Sequence, residues 1–432
     1  MIVSQTRPSE ADKVGGRFAR IRLGIATLFG FGFSVLVLGV ASLLAIPAMI
    51  EADGKIAWGA IALGQTIGTS AGVFALYGWA LFGPAQVASA TATERRVCYL
   101  ESARARLALV LPAAVAAASI AFALAPGEPA YAAVGAVAAT STGLSANWFF
   151  VGLARPYALL VLETIPRAGG IAAGIVLMDF GCSAVVLPAC ALVGMIAGFA
   201  IATLWVMRST THAGAQRVRP RAVREVLSSQ RQGIATDIAM TTFAAAPLMI
   251  VSILAPAIQP TFALADRFGR QADFALAPAR AVLQGWVPRV VGDARAARAR
   301  IALLVAAGFS IVVGVGLIVV APTLMSWLGN GQISIPEGVV FLVAAFVAVT
   351  CFVRTLELVA LAPFGRLNVA ATAIAVSSLV ALPAVALGAK FFGTIGAQGG
   401  VVLGLLVCGA IEYVQYIRGD RSLAIDAATK RS

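Results

Sequence analysis

Charged side chains within an otherwise apolar stretch are the residues of this sequence best suited to do chemistry. The stretch is residues 261–286, and its polar residues recur at helical spacing. One helical stripe would carry Asp266, Arg270, Asp273, Arg280 and Gln284, and the adjoining row Arg267 and Gln271. An ionisable side chain at the centre of a bilayer costs roughly 2.5–3.5 kcal/mol, so such residues usually face a cavity or a partner.

Two interpretations of this stripe are open. In the first, Asp266 pairs with Arg270 and Arg270 with Asp273, so that the charges neutralise each other and the helix can insert. In the second, the stripe lines a water-filled cavity, where Arg267, Arg270 and Arg280 offer cations to an anionic headgroup. Arg280 is also close enough to the predicted cytoplasmic end to extend towards the interface.

Charged residues also fall within other predicted spans. Arg354, Glu357 and Glu412 are expected near the inner interface, and three others are candidates for a function. Glu163 and Arg167 are four residues apart, which fits either an intrahelical ion pair or a cavity cation with its carboxylate. Asp237 follows Thr236 near the inner end of a span, and could be a protonatable coupling site or a polar helix start. The candidate substrate-binding cations are therefore Arg167 and the three arginines of the stripe. The candidate coupling or ion-pair carboxylates are Asp237, Glu163, Asp266 and Asp273.

The elements that must position these residues are membrane helices. A mean hydropathy of +0.92 with 12% charged residues leaves too little polar surface to cover a soluble globule of 44.2 kDa. The apolar runs are continuous, which favours helices, and each crossing needs about 20 residues. We predict an all-α polytopic membrane protein with about twelve transmembrane helices. The predicted spans are 24–49, 56–82, 107–126, 130–153, 157–178, 183–207, 233–256, 261–286, 301–321, 337–362, 368–388 and 393–417.

Basic residues are concentrated in alternate connectors. With the N-terminus inside, the cytoplasmic segments hold 26 of the 32 Lys and Arg residues, Arg104 and Arg106 among them, and the outer connectors hold Lys55 and Lys390. Lys and Arg near span ends are retained on the cytoplasmic side. This distribution predicts a multi-pass protein of the cell (inner or plasma) membrane with both termini cytoplasmic.

The most basic internal connector, residues 208–232, divides the spans into two sets of six. We expect an N-lobe of residues 1–212, with the N-terminal tail and helices 1–6, and a C-lobe of residues 213–432, with the connector, helices 7–12 and the C-terminal tail. Because each set has an even number of spans, the two lobes would be related by an axis along the membrane normal.

Several function classes are disfavoured. The pI of about 10.3 and net charge of +13 reflect the cytoplasmic connectors, and no nucleic-acid module is recognisable, so no nucleic-acid partner is expected. A P-loop is absent, the only histidine is His212, and no cluster has metal-ligand spacing, so neither a cofactor nor a metal is expected. An enzyme, such as an integral-membrane glycan transferase or polymerase, is less favoured because the outer connectors are short and carry few carboxylates.

Two short segments resemble a known family. Tyr77 to Ala88, YGWALFGPAQVA, resembles the Tyr-Gly-Phe and Gly-x-Arg-x-Ile-Ala type segment of polysaccharide flippases, although Ala85 and Gln86 stand where relatives often carry a basic residue. Asn147 to Tyr157, NWFFVGLARPY, resembles their Trp-Phe-x-x-Gly-Leu segment. These flippases of O-antigen and exopolysaccharide repeat units belong to the multidrug/oligosaccharidyl-lipid/polysaccharide (MOP) exporter superfamily. Relatives have twelve or fourteen spans.

The resemblance implies a two-lobed flippase that passes a polyprenyl-pyrophosphate-linked oligosaccharide from the cytoplasmic to the outer leaflet by alternating access. It also implies membrane lipids as surroundings, and a polysaccharide polymerase and a chain-length regulator as possible partners. A cation-coupled multidrug exporter and a peptidoglycan-precursor flippase of the same fold are the alternatives. The motif residues have plainer interpretations too: Trp148, Phe149 and Phe150 would suit an interfacial aromatic belt, and Gly78, Gly83 and Pro84 a helix terminator.

Overall fold

The computed structural model describes residues 10–209, 221–287, 290 and 293–429, and the regular structure within them is helical, without strands. The first half contains α1 (Glu10–Leu76), α2 (Trp79–Ser89), α3 (Ala92–Leu124), α4 (Pro129–Thr140), α5 (Asn147–Gly152), α6 (Pro156–Leu159), α7 (Ile165–Asp179) and α8 (Val186–Ser209). The second half contains α9 (Val223–Leu254), α10 (Gln259–Ala275), α11 (Ala277–Trp286), α12 (Asp293–Leu328), α13 (Glu337–Leu356) and α14 (Leu367–Thr429).

All twelve predicted spans fall on helical structure, and the chain is a polytopic, all-α membrane protein. Seven helical segments of the described chain are long and apolar enough to cross a membrane. Two of them, Gly30–Ser89 with 60 residues and Asn368–Arg418 with 51, each cover two predicted spans. At 1.5 Å per residue the longer would extend about 90 Å if straight, three times the hydrocarbon thickness of about 30 Å.

Glycines divide these two long segments. Gly54 interrupts α1 with φ 82° and ψ 170°, and Gly393 interrupts α14 with φ 61° and ψ −142°. Positive φ is readily adopted only by glycine, so the chain can change direction there without a loop. The result is two pairs of spans joined by very short connectors, as the sequence predicts.

The spans that carry polar residues are broken. Predicted span four consists of α4, a 3₁₀ turn over Ser141–Leu144 and α5, and predicted span eight consists of α10 and α11 with a break at Leu276. Predicted spans five and ten contain single π-helical turns, at Leu160–Thr164 and Glu357–Leu361. Irregular backbone at membrane depth is tolerated where it is buried in protein or lines a cavity.

One end of the molecule carries a hydrophobic core shared by both halves. We call it the acidic end because Glu51, Asp53 and Glu337 lie beside this core, and the opposite end, with Arg95 and Arg295, the basic end. Ile50 and Trp58 of α1 lie in one buried cluster with Phe262 of α10, Met325 of α12 and Val343 of α13. At the opposite, basic end the described residues form two separate clusters. One combines residues 79–206 with Val226, and the other lies entirely within residues 287–416. Apolar contact between the halves is therefore concentrated at the acidic end.

Hydrogen bonds also connect the two halves at the acidic end. Gln332, in the turn after α12, donates from Nε2 to the carbonyl of Ile50 at 3.1 Å and accepts from Lys55 Nζ at its own carbonyl at 3.2 Å. Gln259, at the start of α10, is 2% exposed and donates from Nε2 to the carbonyl of Gly59 at 2.7 Å. These bonds connect the first half to the second around the short connector between the first two spans.

Two expectations fall outside what the structure describes. The boundary proposed between the lobes, at residues 212 and 213, lies within 210–220, which are not among the described residues. The side chain of Asp237, the candidate coupling carboxylate, is likewise outside the described part of the chain, although α9 runs through its position.

Candidate functional site

A cavity of about 620 Å³ lies between the two halves, around the middle of the spans. The first half lines it from both parts of α1, from the broken span of α4 and α5, and from the π-helical turn with α7 and from α8. The second half lines it from α9 and α10. The cavity has the size range of small-molecule sites, which are commonly a few hundred to a thousand Å³.

Three arginines and two carboxylates that the sequence singles out meet in this cavity. Arg167 Nη1 lies 3.2 Å from Glu163 Oε1, and Arg270 Nε lies 2.8 Å from Asp266 Oδ2. Arg267 donates from Nη1 to Gln65 Oε1, across the interface between the halves. The structure thus brings together charged residues of predicted spans five and eight, which are about a hundred residues apart in the chain.

The charge balance of the cavity is positive. Glu163 and Asp266 are each engaged by an arginine, whereas the hydrogen-bond partner of Arg267 is the neutral amide of Gln65. Arg270 also donates from Nη2 to the carbonyl of Ala244 at 2.7 Å. With three cations against two anions among its described lining residues, the cavity can accept a further negative charge.

Glu163 is held firmly by its surroundings. Its side chain is 3% exposed, and it accepts hydrogen bonds from Ser145 Oγ at 2.5 Å and from the backbone N–H of Ala146 at 2.8 Å, besides its contact with Arg167. A carboxylate bonded in this way fixes the break in span four. This arrangement corresponds to the ion-pair interpretation of Glu163, and it leaves the charge of Arg167 exposed to the cavity on one side.

The stripe on residues 261–286 is divided by the break at Leu276. Asp273 pairs with Arg280, which is 8% exposed. Arg280 donates from Nη1 to Asp273 Oδ1 and from Nη2 to the backbone carbonyl of Asp273 at 3.1 Å. Neither residue lines the cavity, so the expectation that Arg280 is a cavity cation is not met. Of the two ion pairs in the neutralising interpretation, Asp266 with Arg270 forms, whereas Asp273 pairs with Arg280 rather than with Arg270.

Arg106 lies inside the protein, which was not predicted from the sequence. The sequence places it with the cytoplasmic cations, but its side chain is completely buried, between the rings of Trp148 and Phe199 with 5.8 Å to each centroid. Its Nη1 donates to the carbonyl of Ser145 at 2.6 Å. Residues two positions apart on one helix lie about 200° apart around its axis. Arg104 is therefore exposed while Arg106 faces the protein interior.

The two motif segments pack against each other at the basic end. Trp79 and Trp148 pack against each other with ring centroids 4.9 Å apart and ring planes tilted by 38°, and a Cβ on Gly83 would overlap the Trp148 ring. Trp148, Phe149 and Phe150 are each at most 3% exposed, so they form an internal cluster rather than a lipid-facing belt. Gly83 and Pro84 lie inside α2 and do not terminate it, while Gly78 precedes it with φ 75°. The segments therefore build the basic end of the first half.

Comparison of the sequence with known families and proteins gives no match, whereas comparison of the structure with solved structures does. No family model and no curated protein matches the sequence. Solved structures do match along almost the whole chain. An inward-facing multidrug resistance MATE family transporter of the MOP superfamily aligns with a TM-score of 0.64 at 14% identity, over 93% of this chain and 99% of that one.

Two other structures give similar alignments. A MATE in the straight conformation aligns with a TM-score of 0.61 at 13% identity, over 93% and 97% of the two chains. A MOP superfamily transporter from Pyrococcus furiosus, described as having a binding pocket of reverse polarity, aligns at 0.58 and 14%, over 93% and 96%. At such identities the alignments establish architecture alone. The chain has the fold of the MATE transporters of the MOP superfamily.

Proposed function

We propose that this protein is a membrane transporter that flips a polyprenyl-pyrophosphate-linked oligosaccharide, such as an O-antigen or exopolysaccharide repeat unit, from the cytoplasmic to the outer leaflet. The proposal combines the transporter-like fold, the charged cavity between the halves and the two flippase-like segments. Transport would proceed by alternating access, with the halves separating first at one end and then at the other.

The surplus cation of the cavity is the observation that carries the proposal. Among the described residues Arg267 forms no ion pair with a carboxylate, and Arg167 and Arg270 lie in the same cavity. A pyrophosphate offers several anionic oxygens, and guanidinium groups bind such oxygens in a bidentate manner. The polyprenyl chain would stay in the bilayer beside the halves, so only the headgroup and sugars need to enter the cavity.

The arrangement of the cores supports an orientation for this state. The two halves share a core at the acidic end, whereas at the basic end the core within residues 287–416 is separate and the start of α9 packs on the first half through Val226. If the basic end is cytoplasmic, as the cation distribution predicts, the cavity is accessible from the leaflet in which lipid-linked sugars are assembled. We accordingly propose a multi-pass protein of the inner or plasma membrane with both termini in the cytoplasm.

A cation-coupled multidrug exporter is the second candidate, because two of the matched structures are described as multidrug resistance transporters in different conformations. The surplus positive charge argues against it for cationic drugs, since like charges repel most strongly in a poorly solvated cavity. A peptidoglycan-precursor flippase would use the same cations and differ in cargo. The transporter proposal assigns no bond chemistry to the chain, and names a polysaccharide polymerase and a chain-length regulator as partners.

The proposal is tested by deleting the gene in its host. Lipid-linked oligosaccharide of full length should then accumulate in the cytoplasmic leaflet, because assembly continues while export stops. A transferase would leave the lipid-linked sugar shorter, and a drug exporter would leave it unchanged while lowering resistance to cationic compounds. Normal intermediates together with normal surface glycan in a strain without a second flippase would contradict the assignment.

A further inference from the structure

The break in predicted span four is the feature of the cavity that the phosphate site does not explain. Here α4 ends at Thr140, a 3₁₀ turn follows over Ser141–Leu144, and α5 begins at Asn147. A break at membrane depth frees backbone N–H and C=O groups, each of which costs several kcal/mol in hydrocarbon unless it finds a partner. Such a break persists only if the surrounding structure supplies partners.

Two buried, oppositely charged side chains supply these partners. Arg106, from α3, donates from Nη1 to the carbonyl of Ser145 at 2.6 Å and to that of Gly143 at 3.5 Å. Glu163, from the π-helical turn, accepts from the hydroxyl of Ser145 and from the N–H of Ala146. Arg106 is 0% exposed and Glu163 is 2% exposed. The break is therefore held from both sides, by Arg106, which does not line the cavity, and by Glu163, which does.

The break directs uncharged polar side chains into the cavity. Thr142, Ser145 and Asn147 all line it. The hydroxyls of Thr142 and Ser145 already donate, to the carbonyl of Ala139 at 2.7 Å and to Glu163, so what they offer a ligand is acceptor capacity. The Asn147 amide is exposed and makes no hydrogen bond to any side chain or backbone group that the structure describes. It can both donate and accept.

Gln65 completes this neutral surface and joins it to the cations. Because a guanidinium can only donate, Arg267 must engage the carbonyl oxygen of Gln65, which turns the two N–H groups of the amide elsewhere. In the described part of the chain these N–H groups have no partner. Amide donors and hydroxyl acceptors are suited to bind the hydroxyl groups of a sugar, and the guanidinium groups beside them are suited to bind a phosphate attached to that sugar.

We propose that the break in span four is a saccharide subsite, in which Asn147, Thr142 and Gln65 bind hydroxyls of the sugar nearest the pyrophosphate. The inference rests on the proposed function and adds to it a site for the neutral part of the cargo. Arg106 and Glu163 are positioning residues: they set the backbone from which Thr142, Ser145 and Asn147 project. The arginines of α10 bind the anionic pyrophosphate, and the broken span binds the sugar.

The test compares two lipids on the purified full-length protein in lipid nanodiscs. The probes are a polyprenyl pyrophosphate and the same lipid carrying a neutral hexose disaccharide. The wild type should bind the disaccharide lipid about five- to tenfold more tightly, as expected for one or two additional hydrogen bonds. Asn147→Ala should abolish this preference and leave the affinity for the bare lipid unchanged. Asn368→Ala, an exposed asparagine of α14 outside the cavity, serves as the matched control and should keep the preference.

The positioning role of Arg106 is tested separately. Arg106→Met should reduce the preference for the disaccharide lipid at unchanged affinity for the bare lipid, and Arg106→Lys should restore part of it because an ammonium group can still donate to the carbonyls. If Arg106→Met fails to fold, the Asn147→Ala result still decides. Wild-type protein that binds both lipids equally, or Asn147→Ala that weakens both equally, would overturn the subsite and leave the transporter proposal intact. Wild-type protein that binds neither lipid would overturn both.

Discussion

Replacing Arg267 by glutamine is the most informative perturbation of the cavity. The side chain contacts neutral Gln65, so its removal leaves no carboxylate unpaired, whereas removal of Arg270 would strand Asp266. Among the described lining residues, the substitution lowers the net charge from one positive charge to zero. A charge-assisted hydrogen bond contributes about 1.5–3 kcal/mol. Loss of one such bond to a phosphate should therefore reduce affinity roughly 10- to 100-fold, at 1.4 kcal/mol for each tenfold change.

The assay is flipping of a fluorescent polyprenyl-pyrophosphate oligosaccharide in proteoliposomes, with initial rates measured at several lipid concentrations. Arg267→Gln should raise the half-saturating concentration by that factor while reconstitution efficiency stays constant. The half-saturating concentration of Arg267→Lys should lie between those of the wild type and Arg267→Gln, because lysine keeps the charge but lacks the planar, bidentate geometry of the guanidinium group. Wild-type kinetics for Arg267→Gln would refute the reasoning that the surplus cation binds the headgroup.

The remaining predictions concern the ion pair, the packing and the topology. Arg270→Ala combined with Asp266→Ala should still transport poorly if Arg270 binds substrate, and recovery of full transport in the same flipping assay would favour a purely structural pair. Gly83→Ala should lower the melting temperature in detergent by the equivalent of roughly 1–3 kcal/mol through overlap with a buried indole, whereas Gly308→Ala, which meets open space within a helix, should raise it slightly. In a cysteine-free background, Glu128→Cys should react with a membrane-impermeant maleimide in intact cells, and reaction only after permeabilisation would reverse the proposed orientation.

Most of the fold is predictable because lipid imposes a simple rule. Backbone groups in hydrocarbon must be satisfied within the segment, so long apolar runs become helices wherever they occur. The runs at 24–49 and 301–321 needed no tertiary information, and both are helical. The breaks within the spans were not predicted. Residues 140–147, TSTGLSAN, are polar enough to permit a break, but the partners that stabilise its backbone come from helices distant in sequence.

The candidate site was predictable only in part, for a related reason. Charges in apolar stretches identify Arg167, Arg267 and Arg270, which meet in the cavity. Polar uncharged residues such as Gln65 and Asn147 are common in any span or connector, so nothing in their spacing distinguishes them. Their significance follows from the cavity that they face.

The sequence by itself determined the membrane class, the position of the helices and the asymmetry of charge, since each depends on local hydrophobicity or on charges counted along the chain. Only the tertiary structure decided which charges pair, because pairing depends on helix breaks and on neighbours far apart in sequence. Asp273 meets Arg280 because the chain bends at Leu276, and Arg106 is buried because α3 packs against the broken span. Burial and pairing are properties of the space between helices, and that space is defined only when the helices are packed.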